Sequence, residues 1–251
     1  MKSNMKRLSL MMCLLGMMLA GTGLRTQNVP VTLVTGWTLE KKLNSERNCN
    51  TDLSCYTYVD LGLPSGTLWA TCNVGADKPD GSGDYFAWGE INPKTTYSWN
   101  TYQYAKGSWN ELTKYCSKAI DGYDNYTDKL TTLQLSDDVA AVRLGDGWCI
   151  PTEEQWLELF QNTHSEWVKT DYAIGMLFTA SNDVWLFLPF AGRRRDNDVK
   201  GDGSNGFYWS SSLYTDNPHY AYNFFLNSGN WTKQYVSRCH GLSIRPVRSA
   251  K

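Results

Sequence analysis

The sequence lacks the features that mark several large functional classes. Its charge is balanced, with 24 Lys and Arg against 25 Asp and Glu, which argues against a nucleic-acid partner. It has no C-x-x-C pair, which disfavours structural zinc. It has only three histidines, none at metal-ligand spacing, and no G-x-S-x-G, P-loop, H-E-x-x-H or dinucleotide-binding motif. We therefore expect neither a nucleic-acid ligand nor an enzyme.

The sequence also lacks a hydrophobic run long enough to cross a membrane. The apolar stretch of residues 8–20 follows three basic residues and has the length of a secretory signal core. We expect a signal peptide over residues 1–23 that is cleaved after Gly23, with cleavage after Ala20 as the alternative. Lipidation at Cys13 is a second alternative. The sequence therefore predicts export to the periplasm, the cell surface or the exterior, with no integral membrane span.

Cysteine is sparse for an exported chain of this length. Export permits disulfides, and the short spacing of Cys49 and Cys55 makes them the first pair expected. The alternative is that the cysteines are buried free thiols, because a large domain does not need disulfides for stability. The six cysteines outside the signal peptide are Cys49, Cys55, Cys72, Cys116, Cys149 and Cys239.

Aromatic residues are abundant, at 14% with 11 Trp and 15 Tyr, which is typical of sheet-rich packing and of binding surfaces. Residues 24–56 carry one strand-like run, 29–34, and then a polar stretch, so they read as an N-terminal extension. From residue 57 onward, short β-branched and aromatic runs alternate with turn residues, which predicts an irregular, mostly antiparallel α+β domain with long loops. The expected strands are 59–63, 67–70, 85–88, 184–188, 208–212, 222–226 and 243–247. Residues 97–126 show no clear period, and we call them the excursion.

Two helices are predicted. Ser136 is placed to cap a short helix over residues 137–141, with two carboxylates in its first turn. Thr152 and Gln155 form a capping box at the start of the second. Its apolar face comprises Trp156, Leu159 and Phe160.

One segment resembles a calcium loop. Residues 196–202 place oxygen-bearing side chains at alternate positions, with a glycine at the sixth. Lys200 and Phe207 stand where such a loop needs oxygen ligands. We therefore expect no cofactor, with calcium as the alternative and an ordinary solvated loop as the simpler interpretation.

The most informative stretch is residues 206–230, where Tyr, Phe and Trp alternate with Ser, Asn, Asp and His. This composition resembles that of antibody paratopes, in which tyrosine supplies rigid contact area and small polar residues supply adaptable hydrogen bonds. Because side chains alternate along a strand, half of these aromatics are expected to face the core.

An ordered series of motifs resembles the Fibrobacter succinogenes major paralogous domain, which many Bacteroidetes surface proteins carry. The resemblance covers residues 57–248. The motifs are YVDLGLPSGTLWATCNVGA (58–76), GDYFAWGE (83–90), LSDD (135–138), GWCIPT (147–152), LFLP (186–189) with AG (191–192), YWSSS (208–212) and GLSIRPV (241–247). It implies a C-type lectin-like fold, related in shape to formylglycine-generating enzymes and to variable proteins diversified by retroelements.

The similarity to variable proteins implies a ligand-binding face in the C-terminal part of the domain. In those proteins, asparagine codons there are rewritten by adenine-directed mutagenesis. Trp231, Lys233 and Gln234 are not reachable from such a codon, so an undiversified relative with the same face is an equal alternative. The reachable positions, which form the candidate site, are Leu213, Tyr214, Asp216, His219, Tyr220, Phe225, Asn227, Tyr235, Ser237 and His240, with Cys239 as a further reachable position.

The expected function is therefore recognition or adhesion by an exported, non-enzymatic module that binds an unknown protein or glycan. The alternatives are an enzyme on a scaffold like that of the formylglycine-generating enzymes and a structural protein of envelope assembly. Under all three, the expected core residues are Trp69, Trp88, Trp148, Trp156, Leu159 and Trp209.

Overall fold

The computed structural model describes residues 57–145, 147–170 and 172–249. The predicted signal peptide, the N-terminal extension with its strand 29–34, and the expected Cys49–Cys55 pair lie outside this range. Cys72 is disulfide-bonded, whereas Cys116, Cys149 and Cys239 carry free thiols.

The described residues form two α-helices and eleven strands. The helices are α1 (Val139–Leu144) and α2 (Glu153–Asn162). The strands are β1 (Tyr58–Val59), β2 (Thr67–Ala70), β3 (Thr163–Lys169), β4 (Ile174–Ala180), β5 (Trp185–Pro189), β6 (Ala191–Arg195), β7 (Asp198–Asp202), β8 (Gly206–Leu213), β9 (Tyr220–Leu226), β10 (Trp231–Ser237) and β11 (Val247–Ser249). Neither helix is long and apolar enough to span a membrane.

Three sheets organise these strands. The order is β1-β2-β11 in the first, β10-β9-β8-β6-β7 in the second and β3-β4-β5 in the third. All pairings are antiparallel except the short parallel contact between β6 and β8. Because β11 pairs with β2, the two ends of the domain lie side by side. The predicted α+β class, with mostly antiparallel sheets and two helices, is confirmed.

Helix α2 begins where the sequence places it. Thr152 Oγ1 accepts a hydrogen bond from the Gln155 backbone N–H, and the Gln155 side chain accepts one from the Thr152 N–H. This reciprocal pair satisfies two amides that a helix start leaves open. Trp156, Leu159 and Phe160 are all buried, so the apolar face predicted for this helix is confirmed.

The prediction for α1 was wrong at its first turn. Asp138, rather than Ser136, caps the helix, because Asp138 Oδ1 accepts from the amides of Ala140 and Ala141. Asp138 Oδ2 also accepts from the Ile150 amide at 2.7 Å, a tertiary contact that local reading does not reveal. Residues 135–137 instead form a short 3-10 turn before the helix.

Five tryptophans pack in two adjoining cores on opposite faces of the five-stranded sheet. Trp88, Trp148 and Trp209 belong to one and Trp69 and Trp156 to the other, and the predicted burial of all five and of Leu159 is confirmed. Three of the indole N–H groups form hydrogen bonds: those of Trp88, Trp156 and Trp209 donate to the carbonyls of Ser210, Trp209 and Phe86, respectively.

Several strands differ from prediction. Residues 67–70 match β2, and 184–188, 208–212 and 222–226 fall on β5, β8 and β9. Residues 85–88 do not form a strand, since the only ladder contact there is the bridge between Phe86 and Leu242. Of 59–63 and 243–247, only Val59 and Val247 enter named strands. Strands β3, β4, β6, β7 and β10 were not predicted.

The calcium-loop segment forms the turn and the second strand of the β6–β7 hairpin, in which Asp198 pairs with Arg195 and Lys200 with Arg193. Lys200 Nζ lies 2.8 Å from Asp198 Oδ2, so the lysine that weakens the calcium pattern neutralises one of its carboxylates. Within the described ranges, no group of three or more His, Cys, Asp or Glu residues is placed to hold a metal ion.

Candidate functional site

One face of the β9–β10 hairpin carries a continuous stripe of large side chains. Tyr222 pairs with Tyr235 across the hairpin and Phe224 pairs with Lys233. Cross-strand partners point to the same side of a sheet, and so do residues two apart on one strand. Tyr220, Tyr222 and Phe224 therefore follow one another along a single face.

Helix α2 covers only part of this stripe. The Phe224 ring stacks on that of Trp156 with a centroid distance of 5.4 Å, and the Trp231 ring stacks on that of Phe160 at 4.2 Å. Glu153, the first residue of the helix, reaches Lys233 at 2.6 Å. Beyond this ion pair the stripe is uncovered and its residues are tyrosines.

We call Tyr214, Tyr220, Tyr222 and Tyr235 the tyrosine face. Tyr214, the residue after β8, stacks on Tyr235 with centroids 4.2 Å apart and planes 2° from parallel. Tyr222 meets the same Tyr214 edge-on at 5.4 Å, and Tyr220 tilts against Tyr235 at 5.4 Å. These ring contacts hold each tyrosine against another while leaving Tyr235 51% exposed.

A shallow pocket of about 430 Å³ opens in this face. Its lining is Tyr214, Tyr222, Lys233, Gln234 and Tyr235. The Lys233 ammonium lies 4.8 Å from the centre of the Tyr222 ring, a cation–π contact. Desolvation and the nearby Asp216 carboxylate raise the pKa of Tyr214, so its phenol stays neutral and able to donate a hydrogen bond at physiological pH.

A second concavity, which we call the cleft, lies where the excursion meets β9 and β10. Its volume is about 520 Å³. Trp109 from the excursion meets His219 edge-on at 4.9 Å, and His219 meets Tyr220 at 4.7 Å, so the cleft is continuous with the tyrosine face. The residues lining it are Trp99, Trp109, Lys118, Ile120, Asp121, Asn217, His219, Tyr220 and Ser237.

Two polar side chains of the cleft, His219 and Asn217, carry buried atoms. Burial lowers the pKa of His219, with Arg238 and Lys118 adding to this and Asp121 opposing it, so the imidazole is neutral at pH 7. His219 Nδ1 and Asn217 Oδ1 are buried and have no hydrogen-bond partner in the described part of the protein. The Lys118 ammonium donates to the Asp216 carbonyl at the rim.

The side chain of Arg238 holds together the segments that form the cleft. It is fully buried, and its guanidinium donates to the carbonyls of Pro218 at 2.8 Å, Tyr115 at 3.0 Å and Lys114 at 3.0 Å. Its backbone amide donates to the His219 carbonyl at 3.1 Å. One side chain thus ties the excursion to the loop between β8 and β9, because a guanidinium presents several donors in a rigid plane.

A second anchor holds the side chains of the same two excursion residues. Lys114 Nζ lies 2.6 Å from Asp137 Oδ2, and the Tyr115 hydroxyl donates to the same carboxylate. Although burial opposes it, hydrogen bonding by Lys114 and Tyr115 lowers the pKa of Asp137, so the carboxylate is ionised. Asp137 therefore holds the excursion in place, which differs from the helix-capping role expected from the sequence.

The structure brings six of the predicted site residues together. Tyr214, Tyr220 and Tyr235 form the tyrosine face, His219 and Ser237 line the cleft with Tyr220, and Asp216 is exposed in the loop beside both.

The other predicted site residues lie elsewhere. Leu213 and Cys239 are buried in the core, so their side chains are not on this surface. Phe225 points to the opposite face of β9 and packs on Phe207 at 5.0 Å. Asn227 shapes the β9–β10 turn by accepting from the Gly229 and Asn230 amides.

His240 also lies away from the tyrosine face. Burial and the positive charges of Arg193 and Arg195 lower its pKa to about 4.

Sequence reasoning missed much of the site. Tyr222 was assigned to a strand but not to the binding residues, and Trp109, Asp121 and Asn217 were not singled out. The one local signal was the composition of the excursion, which is rich in Tyr, Asn, Ser, Lys and Gly and lacks a period. That composition is typical of a binding loop as well as of a connection.

No family model, curated protein or solved structure matches this chain. The resemblance to the Fibrobacter succinogenes major paralogous domain accordingly stays a prediction from the motifs of residues 58–247.

Proposed function

We propose that residues 57–248 form an exported, non-enzymatic recognition module with a C-type lectin-like fold, and that this module binds a protein or glycan through the tyrosine face. The observation that carries the proposal is the mutual stacking of four tyrosines on an uncovered stretch of sheet. Tyrosine side chains that are already ordered lose little conformational entropy on binding, and each offers a large contact area with a polar hydroxyl.

The framework beneath the face supports this role. The strands that carry the tyrosines are backed by buried Trp209, Ala221 and Val236, while the face itself begins beyond Glu153, at the N-terminal end of α2. Binding residues on a rigid scaffold with a variable rim are the usual arrangement in recognition domains. The motifs of the family resemblance lie largely in this framework, whereas the tyrosine face lies largely outside them.

Diversification by a retroelement is a separate part of the proposal. Of the positions reachable from an asparagine codon, Tyr214, Tyr220 and Tyr235 lie on the tyrosine face, whereas Leu213 and Cys239 are buried. If diversification occurs, a partial copy of the coding sequence for the last ~40 residues should differ mainly at codons for the exposed set. A genome carrying neither such a copy nor a nearby reverse transcriptase would contradict it.

Arrays of surface proteins and glycans test the recognition role. We expect the wild-type domain to bind at least one component, and the double variant Tyr214→Ala, Tyr235→Ala to lose at least about tenfold in affinity, since aromatic anchors carry most interface energy. The matched control is Tyr172→Ala, which removes a tyrosine that is 76% exposed on the turn between β3 and β4. Equal binding by all three proteins would remove the tyrosine face from the proposal.

A further inference from the structure

The cleft contains a carboxylate that no protein group satisfies. Asp121 is only 7% exposed, yet among the residues that the structure describes no side chain or amide forms a hydrogen bond or ion pair with its carboxylate. Its backbone is well fixed, because its carbonyl accepts from Leu112 at 2.9 Å and its amide donates to Lys118 at 3.0 Å. The carboxylate oxygens face the cleft, so a ligand that donates to them forms charge-assisted hydrogen bonds there.

The remaining polar atoms of the cleft extend this set. The buried Asn217 Oδ1 needs a donor, and His219 Nδ1 is equally without a partner within the described ranges. The Lys118 ammonium has three donor hydrogens, one of which donates to the Asp216 carbonyl. The cleft therefore offers both acceptors and donors, which suits a ligand that carries several groups able to do both.

The charges around the cleft favour a neutral ligand. Asp121 is negative, whereas Lys118 is positive and the buried Arg238 lies behind His219. An anionic ligand is repelled by the Asp121 carboxylate, and a cationic ligand is repelled by Lys118 and Arg238. Since neither sign is favoured throughout the cleft, hydroxyl groups are better partners than ammonium, guanidinium or carboxylate groups.

The walls of the cleft require the same ligand to have an apolar side. Trp109 is 47% exposed at its rim, and Trp99 and Tyr220 also line it. An aromatic ring offers a flat, weakly negative surface on which polarised C–H groups pack well. A pyranose ring combines hydroxyls at its edge with a face of C–H groups.

We propose that the cleft is a subsite for one uncharged sugar residue, packed on Trp109 and hydrogen-bonded to Asp121 and Asn217. This inference rests on the proposed recognition role, because the cleft and the tyrosine face share Tyr220. The subsite binds without cleaving: glycoside hydrolysis generally uses two carboxyl groups across the bond, and Asp121 is the sole Asp or Glu among the described residues lining the cleft.

A panel of neutral methyl glycosides tests this subsite. It should include the methyl α- and β-forms of glucose, galactose, mannose, fucose and N-acetylglucosamine, with N-acetyl-arginine amide as a cationic probe. We expect at least one glycoside to show saturation-transfer NMR signals from its C–H face and to quench tryptophan fluorescence. We expect this binding to persist in EDTA, since protein groups alone make the contacts.

Two variants locate the binding. Trp109→Ala and Asp121→Asn should each weaken the glycoside by roughly tenfold or more, the usual effect of losing an aromatic platform or a charge-assisted hydrogen bond. Asp121→Asn keeps the backbone bonds, so its fold is expected to be intact. Tyr123→Ala, which removes an exposed excursion tyrosine outside the cleft, is the matched control and should bind as the wild type does.

The subsite is overturned if no glycoside of the panel binds, if EDTA abolishes binding, if the cationic probe binds in place of the sugars, or if both cleft variants bind normally. Its failure is distinct from failure of the proposed function. A module that captures a macromolecule through Tyr214 and Tyr235 but binds no glycoside loses the subsite alone. Conversely, the cleft could bind a glycoside while the Tyr214→Ala, Tyr235→Ala variant binds every array as the wild type does. That result would reject the tyrosine face and leave the subsite standing.

Discussion

The β9–β10 stripe contains two halves that share a strand pair, a register and a sheet face, yet differ in chemistry. Under α2 the stripe is made of Phe224, Leu226 and Trp231, of which only the tryptophan carries a polar group. Beyond the start of α2 it is made of Tyr220, Tyr222 and Tyr235, which each carry a hydroxyl. The change of residue type coincides with the edge of the helix. The open half is therefore suited to alternate between water and a ligand, which a purely apolar stripe is not.

The two halves should differ most in how much their side chains stabilise the fold. Phe224→Ala should lower the free energy of unfolding by about 3–5 kcal/mol, because it leaves a cavity beside Trp156 and Phe160. Tyr222→Ala, two residues earlier on the same face, should lower the free energy of unfolding by only about 1 kcal/mol while weakening ligand binding. Denaturant unfolding of the two variants measures both effects. Similar stability losses would mean that the open half is structural, as an envelope-assembly role predicts.

The next largest effect is expected from acid, at His240, which lies away from the open half. Burial, Arg193 and Arg195 hold its folded pKa at about 4 against an ordinary 6.5, with Asp196 opposing them. The unfolded chain therefore binds more protons in this window, and the free energy of unfolding falls as pH drops from 6.5 to 4.

Between pH 6.5 and pH 4, the free energy of unfolding should fall by about 2 kcal/mol less in His240→Gln than in the wild type. This figure is discounted for the partial exposure of His240. Urea unfolding at pH 7, 5.5 and 4 gives the slope for each protein. The control is His164→Gln, because His164 is exposed on β3. An unchanged slope in the His240 variant would assign the acid sensitivity to other groups.

The smallest effect is expected at the boundary between the halves. Lys233→Met removes the ion pair with Glu153, which is partly solvated, so the stability change should be about 0.5 kcal/mol. The same change removes the cation near the Tyr222 ring and should alter ligand affinity more than stability. Thermal unfolding and array binding measured on one preparation separate the two. A large loss of stability would show that the ion pair, and not packing, sets the end of the covered half.

Local sequence signals predicted those parts of the fold whose determinants lie within a few residues of one another. The capping box of Thr152 and Gln155 and the apolar face of α2 are of this kind, because each contact spans at most one or two turns of helix. Strands β2, β8 and β9 were recognisable from β-branched and aromatic runs. Ser136 and Asp138 are both favourable N-cap residues, and the additional bond from Ile150 that holds Asp138 in place is not visible in a local pattern.

The candidate site was predictable only in part for the same reason. Alternation along β9 implies that Tyr220 and Tyr222 share a face, but not which face is left open. The cleft depends on Trp109 meeting His219 across 110 positions of the chain, and on Arg238 reaching Lys114 and Tyr115. No periodicity or spacing in the excursion encodes these contacts.

Local sequence signals thus account for helix α2, the burial of five tryptophans and the tyrosine-rich character of the C-terminal strands, since propensity, capping and alternation act locally. The tertiary structure places the N-terminal end of α2 on the β9–β10 hairpin, and with it separates the aromatics of the core from those of the surface. It also decided that the excursion folds back to build the cleft. Those outcomes depend on buried side chains, above all Arg238 and Asp137, that satisfy partners distant in the chain.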